Sequence, residues 1–373
     1  MRRILLLNPY AAGSHAQWAR GMVRECPLAA QRAGEVAEFE LYELPGRHWK
    51  WRMVASGLAL VDRMQKAGAF DRDIDRFIVT DMMDVGQFRS ALPPRFRGVP
   101  IILYFHENQL TFPPHRERPK LDWDRHYAFL NVTSALLADR IWFNSEYHKS
   151  AFLSALPDFM SAFPSPRPSD AAETIASKST VMPIGIDGDV LECGAAPDGR
   201  PRIYGDGPPV VAWNHRWEYD KGPGAFLDGL KAAEAAGLPF RLVMLGQRFD
   251  RVPEAFEEIR SRYEDRILQW GHLESRSAYV ESLASCDIAF VTAHHDFFGI
   301  SVLEAAAVGL DMVVPNALAY PEHFDEEDLV QREDLAEAFC ASLQRLPRKR
   351  STRVVHYSWA SVASNVWKRL FVV

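Results

Sequence analysis

Cysteine is scarce: 4 in 373 residues, at Cys26, Cys193, Cys286 and Cys340. None sits in a CxxC pair, which removes zinc-site and thioredoxin-like readings. Scattered single thiols suit a reducing compartment. Long hydrophobic runs are also missing, and no stretch approaches the ~18–20 apolar residues of a membrane span. The opening run Ile4-Leu5-Leu6-Leu7 is shorter than the ~7–15 residues of a signal-peptide core, and Asn8-Pro9 stops it. It reads as a first buried strand of a cytoplasmic protein with no membrane attachment. The GxGxxG and GxxxxGK[ST] fingerprints are absent, so neither a dinucleotide-binding nor a P-loop site is spelled out. Nor is positive charge in excess: 43 basic against 49 acidic side chains give −6, which argues against a general nucleic-acid coat protein.

What is present is a chain 47% hydrophobic, long enough for two domains. Short apolar runs at 4–8, 36–44, 76–81, 100–106, 140–145 and 180–185, then at 210–214, 240–246, 267–272, 288–293 and 312–315, read as strands. Helical patterns such as 225–236 and 277–285 lie between them. Strands alternating with helices predict parallel sheets covered on both faces. The Pro- and Ser-rich stretch 161–179 reads as a surface excursion. The Gly- and Pro-rich stretch 194–209 reads as the interdomain linker. The expected domains are thus 1–190 and 205–355. Residues 1–190 carry 23 basic and 22 acidic side chains, and residues 191–373 carry 20 and 27, so the first domain is the better face for a polyanion.

Four segments hold chemistry. After the first strand, Gly13 and Ser14 open a helix whose backbone N–H groups can meet a ligand, with His15 beside them. After the 100–106 strand comes His106-Glu107-Asn108-Gln109, where His106 can hydrogen-bond a sugar or polarise a leaving oxygen. After the strand at 210–214 comes Trp213-Asn214-His215-Arg216-Trp217-Glu218-Tyr219-Asp220-Lys221-Gly222-Pro223, a cationic pair among aromatic rings. After the strand at 288–293 comes His294-His295-Asp296-Phe297-Phe298-Gly299-Ile300, leading into a helix that carries Glu304. The helix N-terminus suits a diphosphate, and Glu304 can accept from a sugar hydroxyl pair.

The Asp296, seven residues, Glu304 pattern resembles retaining glycosyltransferase family 4. The likeness extends through Leu245-Gly246, Trp270-Gly271-His272 and Tyr320-Pro321-Glu322. The resemblance implies an α/β GT-B fold, two Rossmann-like domains with parallel sheets facing across a cleft. It also implies that Arg216 and Lys221 clamp the donor diphosphate. Asp296 stands where the family usually has Glu. With HENQLTFP in the first half, the chain resembles a narrower family, the tRNA-queuosine alpha-mannosyltransferases. That resemblance implies retaining transfer of mannose from GDP-mannose to queuosine in a tRNA anticodon. The donor residues would be Gly13, Ser14, Asn214, Arg216, Lys221, Asp296, Phe298, Gly299, Ile300 and Glu304. The acceptor residues would be His15, Arg47, Trp49, Lys50, Arg52, Asp81, His106, Glu107 and Asn108. Catalysis would rest on His106, Arg216 and Lys221, with no enzymatic nucleophile. A C-terminal helix at 357–373 would cross back to the first domain.

No cofactor and no metal is expected, because the cations and the helix N-terminus supply the positive field. Short DxD segments at Asp71-Arg72-Asp73, Asp122-Trp123-Asp124 and Asp187-Gly188-Asp189 read as structural or solvated. Gly46-Arg47-His48-Trp49-Lys50-Trp51-Arg52 interleaves cations with rings that can stack on unpaired bases. The run His115-Arg116-Glu117-Arg118-Pro119-Lys120 is a second basic stretch. The competing readings are a family 4 enzyme with a lipid or small-molecule acceptor, and a non-catalytic RNA-binding protein of the same fold. The lack of a basic amphipathic helix counts against the lipid, and the diphosphate clamp against the non-catalytic protein.

Overall fold

The structure is a computed structural model describing residues 1–113, 122–168, 170–195, 203–205, 207–248, 251–345 and 353–371. The basic run at 115–120 lies outside the described residues, as do the side chains of Asp122, Trp123 and Asp124. The chain forms two compact units, Met1–Gly185 with Trp359–Val373, and Ile186–Ser358.

The first unit contains β1 (Arg2–Ala11), β2 (Ala37–Pro45), β3 (Arg76–Thr80), β4 (Ile101–Phe105), β5 (Arg140–Phe143) and β6 (Ser179–Val181). They form one parallel sheet in the order β2-β1-β3-β4-β5-β6. Leu6 of β1 pairs with Leu41 on one side and Ile78 on the other. Every residue of β4 is buried, as expected of a continuous apolar run in a sheet covered on both faces. One core gathers Leu5, Leu7, Phe77, Val79, Phe88, Leu103, Phe105, Phe143 and Phe152.

The second unit contains β7 (Val210–Trp213), β8 (Arg241–Met244), β9 (Ile267–Trp270), β10 (Ile288–Phe290), β11 (Asp311–Pro315) and β12 (Leu329–Val330). Its parallel order is β12-β11-β10-β7-β8-β9. Its core is separate, built on Trp213, Trp217, Phe226, Phe256, Phe290 and Phe339. The two-residue β12 was not expected, since it is too short to show any alternation.

Two expectations about organisation change. The unit boundary falls at Gly185 and Ile186, ahead of the stretch 194–209 read as the linker. The helix Gly188–Ala195 packs inside the second unit, where a Cβ on Gly194 would lie 1.9 Å from the Ala307 carbonyl oxygen. The stretch 161–179 is not wholly an excursion, because the helix Ala171–Ser177 buries Ala171 and Ile175 in the first core. The helix Trp359–Leu370 belongs to the first unit. Its buried residues Trp359, Val362, Ala363, Val366, Trp367 and Leu370 follow the period of one helical face. It packs on the helix Gly13–Arg32 at Gly21, where a Cβ would stand 2.1 Å from the Trp359 ring.

In each sheet the connections reverse direction once, between β1 and β3 and between β7 and β10. In parallel α/β sheets the loops at the carboxyl ends of such neighbours diverge and leave a crevice, the usual ligand position. The segments singled out above follow these strands, together with β4.

Candidate active site

In the second unit β7 and β10 pair directly, with Ala212 opposite Ala289, so the two loops that follow emerge side by side. They are stitched together. Thr292 Oγ1 donates to the Gly222 and Lys221 carbonyls at 2.9 and 3.2 Å, and the His294 N–H donates to the Asp220 carbonyl at 2.7 Å. Gly222 takes φ +69°, and a Cβ there would lie 2.0 Å from the Thr292 carbonyl oxygen. Only glycine allows this approach.

Lys221 is buried between the loops. Its Nζ donates to the His295 carbonyl at 2.9 Å and lies 3.1 Å from Asp220 and 3.6 Å from Asp296. Burial works against the ammonium, but Asp296 and Asp220 outweigh it and raise its pKa. Burial likewise pushes the Asp296 carboxyl up, and Lys221, His215 and His295 pull it below the usual range. Arg216 is exposed and pairs with Glu218 at 3.1 Å. His215 and His295 are pushed down to about 4, first by burial and then by the Lys221 charge. His215 Nδ1 meets Ser301 Oγ at 2.9 Å.

Asp296 shapes the second loop. Its Oδ1 accepts from the Gly299 N–H at 3.0 Å and its Oδ2 from the Tyr320 hydroxyl at 3.3 Å. Gly299, at φ +81°, precedes the helix Ile300–Ala307. The half-buried Ile300 begins that helix. The Phe298 ring is buried against His323 and Tyr357. Asn214 donates to the Ser301 carbonyl at 2.7 Å, and Glu304 is buried beside Arg276 and Tyr279. Trp213 and Trp217 are core residues; their indole N–H groups donate to the carbonyls of His215 and Leu245.

In the first unit, Gly13 is exposed at φ +48° and Ser14 is half-buried, at the start of the helix Gly13–Arg32. The rings of His15 and His106 lie 4.1 Å apart, walled by Trp18 and Tyr104 at 4.9 and 4.7 Å from His106. His106 is 6% exposed, and among the described residues neither of its ring nitrogens has a hydrogen-bond partner. Burial first, then His15 and His148, hold its pKa well below the ordinary value, so the ring is neutral at pH 7 and able to donate from one nitrogen and accept at the other. Its backbone is fixed. The His106 N–H donates to Asp81 Oδ1 at 2.9 Å, and Asn144 Nδ2 donates to the His106 carbonyl at 2.9 Å. Asp81 is therefore a buried clamp on this loop. Burial, then Glu107, raises its pKa well above the carboxylate range. Half-buried Glu107 accepts from Gln109 at 3.1 Å, and buried Asn108 forms a turn with Thr111.

The basic–aromatic segment is the start of a helix, Trp49–Lys66. Trp49 turns inward to a small cluster with Met53, Met82 and Leu130 and meets Tyr127 edge-on at 5.2 Å. Lys50 lies over both rings. Arg47 is exposed, Arg52 donates to the Pro45 carbonyl at 3.3 Å, and Trp51 is 64% exposed. Of the two rings that the sequence offers for an anticodon base, Trp49 and Trp51, the open one is Trp51. Arg276 and Tyr279 were not singled out from the sequence, where their one signal is the i,i+3 spacing, and Tyr320 was named there only within the matching Tyr320-Pro321-Glu322 stretch.

Comparison with solved structures gives the same fold. The sucrose-phosphate synthase of Thermosynechococcus elongatus superposes at TM-score 0.66 with 14% identity, covering 100% of this chain and 99% of that one. Anabaena HepE in complex with UDP gives 0.58 at 15%, covering 100% and 96%. Residues 208–348 match the family model Glycosyl transferases group 1. Two parallel units with a paired-loop site in the second define a glycosyltransferase of the GT-B class. Residues 3–186 match the model tRNA-queuosine alpha-mannosyltransferase N-terminal. A tRNA-queuosine alpha-mannosyltransferase of Drosophila melanogaster is 28% identical over 347 residues, 92% of this chain and 88% of the relative. The chain thus joins an N-terminal domain similar to that of the tRNA-queuosine alpha-mannosyltransferase family to a group 1 glycosyltransferase domain.

Proposed function

We propose that this protein moves mannose from GDP-mannose to queuosine in a tRNA anticodon, with retention of configuration. The observation that carries the reading is the match of residues 3–186 to the N-terminal domain of that family, joined to a donor-type site on β7 and β10. Arg216, Lys221 and the N-terminus of the helix Ile300–Ala307 face the donor diphosphate and stabilise the charge that builds on the leaving nucleotide. Glu304 accepts from the ribose hydroxyls. Neutral His106 hydrogen-bonds the transferred sugar or the acceptor hydroxyl. The basic start of the helix Trp49–Lys66 holds the tRNA. No metal takes part, and the reaction is cytoplasmic.

Radiolabelled GDP-mannose incubated with total tRNA, with and without queuosine, tests this. Label should enter only the queuosine-containing pool. Label entering a lipid or small sugar and never tRNA would overturn the acceptor assignment.

A further inference from the structure

Glu304 is gripped from two sides. Arg276 Nη2 donates to one carboxylate oxygen at 2.7 Å, and the Tyr279 hydroxyl donates to the other at 2.8 Å. These donors stand one turn apart on the helix Arg276–Ala284. Each is itself anchored. Asn214 Nδ2 donates to the Tyr279 hydroxyl at 3.3 Å and to the Ser301 carbonyl at 2.7 Å. Arg276 lies 3.3 Å from Asp189 and 3.7 Å from Asp187. The carboxylate, 4% exposed, therefore has its position and plane set before any ligand arrives. A carboxylate accepts about four hydrogen bonds, so these two donors by themselves do not fill it. A group fixed in advance loses no rotamer freedom when a ligand is gripped.

Resting on the donor reading above, we propose that Arg276 and Tyr279 are positioning residues that hold the Glu304 carboxylate for the vicinal hydroxyl pair of the donor ribose. The site thereby selects ribonucleotides over their deoxy counterparts. Neither residue touches the ligand in this scheme; both act through Glu304.

The test is calorimetric titration of the full chain with GDP and with 2′,3′-dideoxy-GDP. Wild type should bind GDP ~10–100-fold more tightly than the dideoxy compound, the size of hydrogen bonds to a charged group. Tyr279→Phe and Arg276→Gln should each cut that ratio to ~2–5-fold while leaving dideoxy-GDP affinity at its wild-type value. Arg276→Lys should recover part of the ratio. Equal binding of both nucleotides by wild type would sink the ribose role of Glu304, and this inference with it. A wild-type preference that persists undiminished in both variants would overturn the positioning role alone. Equal weakening of both nucleotides in the variants would also overturn it, because a merely structural residue acts on both.

Discussion

Lys221 and Arg216 share a sign and differ in surroundings. Lys221 is buried among the His295 carbonyl, Asp220 and Asp296, whereas Arg216 is exposed. Lys221→Ala would leave two carboxylates without their shared counter-ion, a loss of about 3–5 kcal/mol in stability. Arg216→Ala should leave the fold intact and lower kcat/KM by ~10–150-fold, from a charge-assisted contact of ~1.5–3 kcal/mol. Thermal melts beside transfer rates separate the two, and an Arg216 variant with unchanged turnover would remove it from the diphosphate site. Three buried histidines should each weaken the fold in acid. Burial above all pushes His215, His295 and His323 down to about 4, while in the unfolded chain each titrates near ~6.5. As pH falls, the unfolded state binds protons first. Stability is therefore full above pH ~6.5 and is lost towards pH ~4, by up to ~1.4 kcal/mol per pH unit for each histidine. Urea unfolding across that window should show the slope, and His323→Gln should remove one share of it.

At the scale of elements, the all-apolar β4 and the tight turn at Gly299 were legible in the sequence, because buried parallel strands and left-handed turns leave marks in composition, whereas the close approach at Gly222 left no such mark. The pairing of β7 with β10 was not, since register depends on residues far apart in the chain. Arg276 and Tyr279 were hidden for the same reason: their partner Glu304 lies 25 or more residues away. The inward turn of Trp49 was hidden because the segment 46–52 reads as a loop, and only the helix beginning at Trp49 places it on the same face as Met53. This placement sharpens the acceptor prediction. Arg47→Ala with Lys50→Ala should weaken tRNA binding and flatten its salt dependence by about two phosphate contacts. Trp51→Ala should cost affinity at unchanged slope, because stacking releases few ions. Filter binding across a salt series reads both. Wild-type behaviour in each variant would place the acceptor elsewhere.

For the whole molecule, the source of positive field decides the metal question. The two DxD aspartates of the second unit, Asp187 and Asp189, already face Arg276. Transfer is expected to proceed in excess EDTA. Activity lost to chelation and restored by manganese or magnesium would return the DxD segments to the reaction. The first unit is assembled from two separated stretches of chain, and this shapes how the protein is made. On the ribosome, the seat for Trp359 beside Gly21 is complete long before the helix that fills it exists. All of Ile186–Ser358 must be synthesised in between, which takes roughly 10–35 s at ~5–20 residues per second. The nascent first unit therefore waits with an apolar face uncovered, a natural client for a chaperone, while the second unit can close as soon as its own residues emerge.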